Sequence, residues 1–110
     1  MGVRVSIAGR AEADLTHQYR WNPDNAGAGI AERFLETFDG AMARLANNPL
    51  LGRPRRFRAP ELAGIRSLSV GGSFSVQLIF YRADRGVLSV ERVMHGARDL
   101  PRRLLDPPGS

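Results

Sequence analysis

The sequence predicts an α+β fold: a four-stranded antiparallel sheet with an N-terminal helical hairpin packed on one face, in the order β-α-α-β-β-β. Short segments of alternating apolar and polar residues lie at both ends of the chain, and a long apolar stripe at helical spacing lies between them. Glycine-containing turns separate the last strands. The 110 residues suit one domain, which we expect to span residues 1–105, with residues 106–110 as a flexible tail.

The N-terminal half is expected to contain one strand and two helices. Val3–Ile7 alternates apolar and polar residues and predicts the first strand, and Ala11–Trp21 predicts a short helix. Asn22 then fits a helix N-cap, and Pro23 fits the first position of a second helix. That helix is expected to end at Asn47-Asn48-Pro49, and its apolar stripe consists of Ile30, Phe34, Phe38, Met42 and Leu45.

The C-terminal half is expected to form a loop followed by three strands. Residues 48–62 contain three prolines and four arginines and predict the loop. Gly71-Gly72 and Asp84-Arg85-Gly86 separate the strands, and Gly86 can take the positive φ that hairpin turns need. Arg98–Leu105 fits a last turn or short helix. The three strands are expected at Ile65–Val70, Phe74–Arg82 and Val87–His95.

A three-residue turn at Asp84–Gly86 would divide the last hairpin into an apolar and a polar face. On the apolar face, Val76, Leu78 and Phe80 would lie opposite Met94, Arg92 and Val90, with Arg92 as the one charged residue. The helical hairpin would pack there. The other face would be mostly polar, with His95 near Ser75 and Gln77, and would carry Ser75, Gln77, Ile79, Tyr81, Ser89, Glu91, Val93 and His95.

Composition excludes several classes of protein and limits the available chemistry. The chain has no cysteine and two histidines, so we expect no disulfide, metal or cofactor, and a cytoplasmic location. No apolar run is long enough to cross a bilayer. The net charge is +5 and all sixteen basic residues are arginines, which cannot act as general bases. Acid–base chemistry would therefore require His95, His17, a carboxylate or a tyrosine.

Five stretches, in order, resemble the RelE/ParE superfamily of bacterial toxins from type II toxin–antitoxin modules. The stretch AEADLTHQY looks like the first helix of ParE-type toxins, and LANNPLLGRPR resembles their Leu-x-x-x-Pro-x-x-Gly connection. The stretches ELAGIRSLSV and LIFYR are similar to the entry into the second strand and to the central strand. The stretch ERVMHGARDL resembles the closing Arg-Val-Leu-His-x-x-Arg-Asp signature. The resemblance covers about Val3–Leu104 and favours the ParE-like branch.

The resemblance implies a small antiparallel sheet carrying a helical hairpin, and inhibition of growth by one of two routes. ParE-like members poison DNA gyrase, whereas RelE-like members cleave messenger RNA in the ribosomal A site. Both are silenced by an antitoxin, here expected to be a ParD-like ribbon-helix-helix protein that forms a hetero-oligomer with the toxin. Operator DNA would be reached only through the antitoxin, and no membrane partner is implied.

The residues favour the gyrase route. RelE-type nucleases use lysines and arginines on the sheet with a C-terminal tyrosine or histidine, and this chain has no lysine. The nuclease alternative would depend on His95, Arg98 and Tyr81. A gyrase poison needs arginines on a binding surface, and the candidates are Arg53, Arg55, Arg56, Arg58 and Arg98.

Two alternatives stay open. The stretch from His95 to Asp99 is equally compatible with a purely structural turn, in which Gly96 ends the strand, Asp99 caps a helix and Arg98 pairs with a carboxylate. The whole chain is also compatible with an inactive relative that only binds antitoxin.

Overall fold

A computed structural model describes residues 3–21, 27–96 and 100–106 of the protein. Its three helices are α1 (Gly9–Trp21), α2 (Gly27–Asn47) and α3 (Leu100–Leu105), and a 3-10 turn covers Pro60–Leu62. Its five strands are β1 (Arg4–Ile7), β2 (Arg53–Pro54), β3 (Arg66–Gly71), β4 (Phe74–Asp84) and β5 (Val87–His95). In the described part of the chain, no helix combines the length and apolar character needed to cross a membrane.

The five strands form one mixed sheet in the order β1-β5-β4-β3-β2. The strand β1 pairs with β5 in parallel, and the other neighbours are antiparallel. The predicted four-stranded antiparallel sheet is therefore wrong in strand number and in the direction of one edge. Alternation predicts that a segment is a strand but not how it is oriented, and the two residues of β2 are too few to show a period.

The hairpin between β4 and β5 turns through two residues rather than the predicted three. Asp84 pairs with Val87, and Arg85 and Gly86 have φ angles of 51° and 80°. Two positive φ angles match the twist of the flanking strands, so the predicted conformation of Gly86 is confirmed. The shorter turn therefore changes which residues of β4 and β5 lie opposite each other, compared with the predicted pairing.

A β-bulge in β5 shifts the register again. Phe80 pairs with Arg92 whereas Tyr81 pairs with Val90, which leaves Glu91 as the extra residue. The predicted pairing of Leu78 with Arg92 is therefore wrong, because Leu78 pairs with Met94. Since one inserted residue reverses the alternation, the bulge places Val90 on the same face as Val93.

The first face of the sheet, defined here as the one that α1 and α2 cover, is apolar. Ile79, Tyr81 and Val93 are fully buried there, although the sequence had predicted them on a polar face. The helices contribute the expected stripe, with Phe34, Phe38, Met42 and Leu45 of α2 and Ala11 and Leu15 of α1. The predicted cap at Asn22 and Pro23 lies outside the described residues.

The second face is also covered, by α3 and the 3-10 turn. Leu100 and Leu104 of α3 pack with Phe80 and Met94 of the sheet. Leu62 and Ile65 complete this second cluster, with Phe57, Ala59 and Leu78 at its margin. The predicted C-terminal helix is thus confirmed from Leu100 onward, and it covers the face that was expected to carry the helical hairpin.

Candidate functional site

The arginine loop, defined as residues Arg53–Arg58, runs along the β2 edge of the sheet. Its first two residues pair with β3, Arg53 opposite Ser67 and Pro54 opposite Arg66. The N–H of Arg55 then donates to the carbonyl of Ile65 at 3.0 Å. Main-chain hydrogen bonds therefore fix the course of the first half of the loop.

A buried tyrosine fixes the connection that enters the loop. The Tyr81 hydroxyl donates to the carbonyl of Pro49 and accepts from the N–H of Gly52, both at 2.8 Å. A Cβ on Gly52 would lie 2.4 Å from that hydroxyl oxygen, so the position requires glycine. Arg66 adds a hydrogen bond from Nη1 to the Gly52 carbonyl at 2.8 Å. These contacts explain the Pro-x-x-Gly spacing of the sequence.

Three arginines of the loop extend into solvent. Arg53, Arg56 and Arg58 are exposed, and the ion pairs of the described residues, Arg82 with Glu91 and Arg92 with Asp14, do not include them. Guanidinium groups that are exposed and form no ion pair with a described residue are available to the phosphates or carboxylates of a partner.

The fourth arginine of the loop is held against the protein. Arg55 is half-buried, donates from Nη1 to the Ser67 hydroxyl at 3.2 Å, and lies 5.4 Å from the centre of the Phe57 ring. Phe57 in turn packs at the margin of the second-face cluster. Arg55 and Phe57 therefore brace the loop, and Arg53, Arg56 and Arg58 form its exposed basic surface.

The two nuclease candidates that the structure describes, Tyr81 and His95, lie apart from each other. Tyr81 is fully buried, and burial raises the pKa of its phenol, although the Gly52 hydrogen bond and the Arg66 charge lower it in part. His95 is exposed and pairs across the hairpin with Gln77, one of the two residues near which it was predicted to lie. Gln77 is four residues from Tyr81 along β4, a distance of about 13 Å in a strand. Arg98 lies outside the described residues.

A buried ion pair that was not predicted joins α1, β5 and α3. Arg92 is 4% exposed, and its Nε and Nη2 donate to the two carboxylate oxygens of Asp14 at 2.7 and 2.9 Å. The same carboxylate accepts the N–H of Val93 at 3.0 Å. Nη1 of Arg92 donates to the carbonyls of Arg103, Leu104 and Asp106 at 3.2, 3.0 and 2.7 Å. The signal in the sequence was a single arginine on an otherwise apolar strand face.

A cavity of about 160 Å³ lies between α3 and the 3-10 turn. Arg82 lines it, pairs with Glu91, and donates to the carbonyls of Glu61 and Ala63. Arg10 and Arg92 also line it and donate to carbonyls at the end of α3. Because protein oxygens already accept from these guanidinium groups, the cavity is less suited to a phosphate than the arginine loop.

Comparisons with known proteins identify the family. Residues 5–100 match the family model described as "ParE toxin of type II toxin-antitoxin system, parDE". The chain is 32% identical over 105 residues to Toxin ParE1 of Mycobacterium tuberculosis, covering 94% of this chain and 100% of that relative.

Two solved structures share the fold. The chromosomal ParDE system of P. aeruginosa matches with a TM-score of 0.68 and 17% identity, over 86% of this chain and 97% of that chain. The E. coli DinJ-YafQ toxin–antitoxin complex matches with a TM-score of 0.62 and 16% identity, over 91% and 99%. On the family match and the relative at 32% identity, the chain belongs to the ParE toxin family of type II toxin–antitoxin systems.

Proposed function

We propose that this toxin inhibits growth by binding and poisoning DNA gyrase, and that a cognate antitoxin neutralises it. The observation that carries the proposal is the exposed basic surface of the arginine loop. Its three guanidinium groups have no carboxylate partner among the described residues. The first half of its backbone is fixed by β3, and Arg66 and Tyr81 fix the connection that enters it. A pre-ordered charged surface loses less conformational entropy when it binds than a free loop would.

The arrangement of the nuclease candidates supports binding over catalysis. Cleavage of RNA would need an acid and a base on either side of one phosphate. The hydroxyl of Tyr81 is buried and bonded to Pro49 and Gly52, and the exposed His95 is far along the sheet from it. Gyrase poisoning by binding needs neither group.

An antitoxin partner is proposed from the family and from the neighbouring structures. The two solved relatives are a ParDE system and a DinJ-YafQ toxin–antitoxin complex. We expect a ParD-like ribbon-helix-helix antitoxin whose acidic C-terminal segment wraps the toxin. The net charge of +5 would favour such a segment.

Substitution in the arginine loop tests the proposal in cells. The variant Arg56→Ala/Arg58→Ala should relieve growth inhibition on induced expression, because two target-binding charges are lost. Its thermal stability should change little, since exposed charges contribute on the order of 0–1 kcal/mol each. Arg4→Ala/Arg85→Ala is the matched control, with two exposed arginines elsewhere, and should remain toxic. A stable loop variant that inhibits growth as strongly as the control would refute the role of the loop.

A further inference from the structure

The charges of the chain are unevenly divided between the segment that contains α1 and α2 and the segment that follows it. Residues 9–47, which contain α1 and α2, have four arginines and six carboxylates, a net charge of −2. Residues 48–110, which supply the arginine loop, four strands and α3, have eleven arginines and five carboxylates, a net charge of +6. The positive charge of the protein therefore lies outside the segment that contains α1 and α2, in the segment that supplies most of the sheet and α3.

The arginine loop borders the second face of the sheet. Arg53 pairs with Ser67, Ser67 with Phe80, and directly opposed residues share a face, so Arg53 lies on the face of Phe80. Phe57 packs in the same cluster as Leu100 and Leu104 of α3, the helix that carries the exposed Arg102. Arg53 and Arg102 thus lie on the same side of the sheet, and the exposed Arg56 and Arg58 flank Phe57 in the loop.

The dimensions of the loop suit a phosphate backbone. From Arg53 to Arg58 the chain can extend at most about 17 Å, at ~3.4 Å per residue. One strand of duplex DNA places a phosphate about every 3.4 Å along the helix axis and more widely along the winding backbone itself, so this length spans several phosphates. The three exposed arginines of the loop, Arg53, Arg56 and Arg58, all lie within this length.

We propose that the exposed basic surface of the arginine loop binds the phosphate backbone of duplex DNA directly. The inference deepens the proposed function and depends on it for its biological meaning, since gyrase holds duplex DNA when it is poisoned. The toxin would then contact the DNA of the gyrase complex as well as the enzyme. The helical layer, with its opposite net charge, would face away from the DNA.

The test is the salt dependence of binding between the purified toxin and a fluorescently labelled 20-base-pair duplex, without gyrase. Three phosphate contacts predict a slope of about −2.7 for log K against log [salt], or a loss of about 40-fold in affinity between 50 and 200 mM NaCl. The loop variant Arg53→Gln/Arg56→Gln/Arg58→Gln should bind at least tenfold more weakly at 50 mM and with a shallower slope.

The control variant removes the same charge from exposed arginines outside the loop, Arg4→Gln/Arg33→Gln/Arg85→Gln. It should keep most of the wild-type affinity and slope. Equal losses in both triple variants would show a non-specific effect of net charge and would overturn the proposal. A loop variant that binds DNA like the wild type but no longer binds gyrase would assign the loop to an acidic protein surface instead.

The two proposals fail separately. If the wild type does not inhibit gyrase but its DNA affinity depends on the loop, the gyrase target is wrong and the DNA-binding surface stands. If the wild type inhibits gyrase but its DNA affinity does not depend on the loop, the DNA proposal is wrong and the target stands.

Discussion

At the scale of single residues, the contact between Tyr81 and Gly52 connects the core to the candidate site. The phenol is fully buried, yet both of its hydrogen bonds go to the segment that leads into the arginine loop. Because the hydroxyl both donates to and accepts from backbone groups, Tyr81 holds this segment in place. The position of the loop therefore depends on the packing of the first face.

Gly52→Ala should destabilise the protein. The added Cβ would lie 2.4 Å from the Tyr81 hydroxyl oxygen, and overpacking of this kind costs about 1–3 kcal/mol or more. Gly40→Ala in α2 is the control, because its Cβ would meet no atom within 4 Å and alanine favours helix by ~0.5–1 kcal/mol. The midpoint of urea unfolding should thus fall for Gly52→Ala and rise for Gly40→Ala. A Gly52→Ala variant as stable as wild type would contradict the close contact with Tyr81.

Alkaline pH should destabilise the fold through Tyr81. Burial raises the pKa of Tyr81 in the folded state, so its contribution is fully present below the unfolded pKa of ~10 and is lost as pH rises through the folded value. The chain has no lysine or cysteine, so few other side chains titrate between pH 8 and 11.5. The free energy of unfolding should fall over this range in wild type and fall less in Tyr81→Phe. If the free energy of unfolding fell equally with pH in wild type and in Tyr81→Phe, the effect could not be assigned to Tyr81.

The sequence predicted a special role for Gly52 and for Tyr81, but not the contact between them. The need for glycine at position 52 was visible as part of a family-like spacing, but its cause, the approach of a side chain 29 residues away, requires the fold. Tyr81 was a catalytic candidate from its residue type, and only the register of β4 places it in the core. The role of Arg98 stays a prediction.

At the scale of elements, α3 is attached to the rest of the molecule by two arginines. Arg92 donates to three carbonyls at the end of α3 while it pairs with Asp14 of α1, and Arg10 donates to the carbonyls of Leu105 and Asp106. Free carbonyls at a helix C-terminus favour cationic partners. A helix of six residues has little stability of its own, so these contacts and the packing of Leu100 and Leu104 hold it in place.

Arg92→Met should detach α3 and destabilise the whole protein. Removal of one partner from a buried ion pair costs about 3–5 kcal/mol, because the carboxylate of Asp14 stays buried without its cation. Urea unfolding measures the global loss, and hydrogen exchange of the amides of residues 100–105 measures the local one. Arg82→Met is the control, because its ion pair with Glu91 is partly exposed and should contribute less. Equal stability of the two variants would contradict the importance of the Arg92 contacts.

Local pattern predicted the elements more reliably than their arrangement. The stripe from Phe34 to Leu45 and the segment Val87–His95 were predicted correctly, since each depends on the period of its own residues. The bulge at Glu91 has no local signature, and it reverses which β5 residues face the helices. The parallel pairing of β1 with β5 depends on residues more than 80 positions apart. The faces of the sheet were therefore assigned wrongly even though four of its five strands were found.

At the scale of the whole molecule, charge should govern association with an acidic antitoxin segment. The net charge of +5 is the balance between −2 on residues 9–47 and the positive charge of the remaining residues, so the long-range attraction acts mainly on the sheet side. The association rate should fall as NaCl increases, because screening shortens to ~8 Å at physiological ionic strength. Stopped-flow mixing with the antitoxin's C-terminal peptide measures this rate, and a rate independent of salt would count against electrostatic steering.

The arginine loop could be proposed from sequence because its residues are neighbours along the chain, and its role as a binding site stays a prediction. The way in which the loop is attached could not be predicted, since Arg66 and Tyr81 hold its entry from two other strands and its own Phe57 packs on the second-face cluster. A site composed of one segment can be predicted from composition and spacing. A site whose geometry depends on distant side chains requires the tertiary structure.

The most direct test of the central claim compares gyrase and the ribosome as targets of the same purified protein. Wild type and His95→Gln are added to DNA supercoiling by purified gyrase and, in parallel, to a translating extract in which transcript cleavage is followed. His95→Gln removes acid–base chemistry, which would cost a nuclease ~10²–10⁴-fold in rate, while retaining size and hydrogen bonding. We expect both proteins to inhibit supercoiling equally and neither to cleave transcripts. Transcript cleavage by wild type that is lost in a folded His95→Gln variant, with no effect of either on gyrase, would contradict the claim.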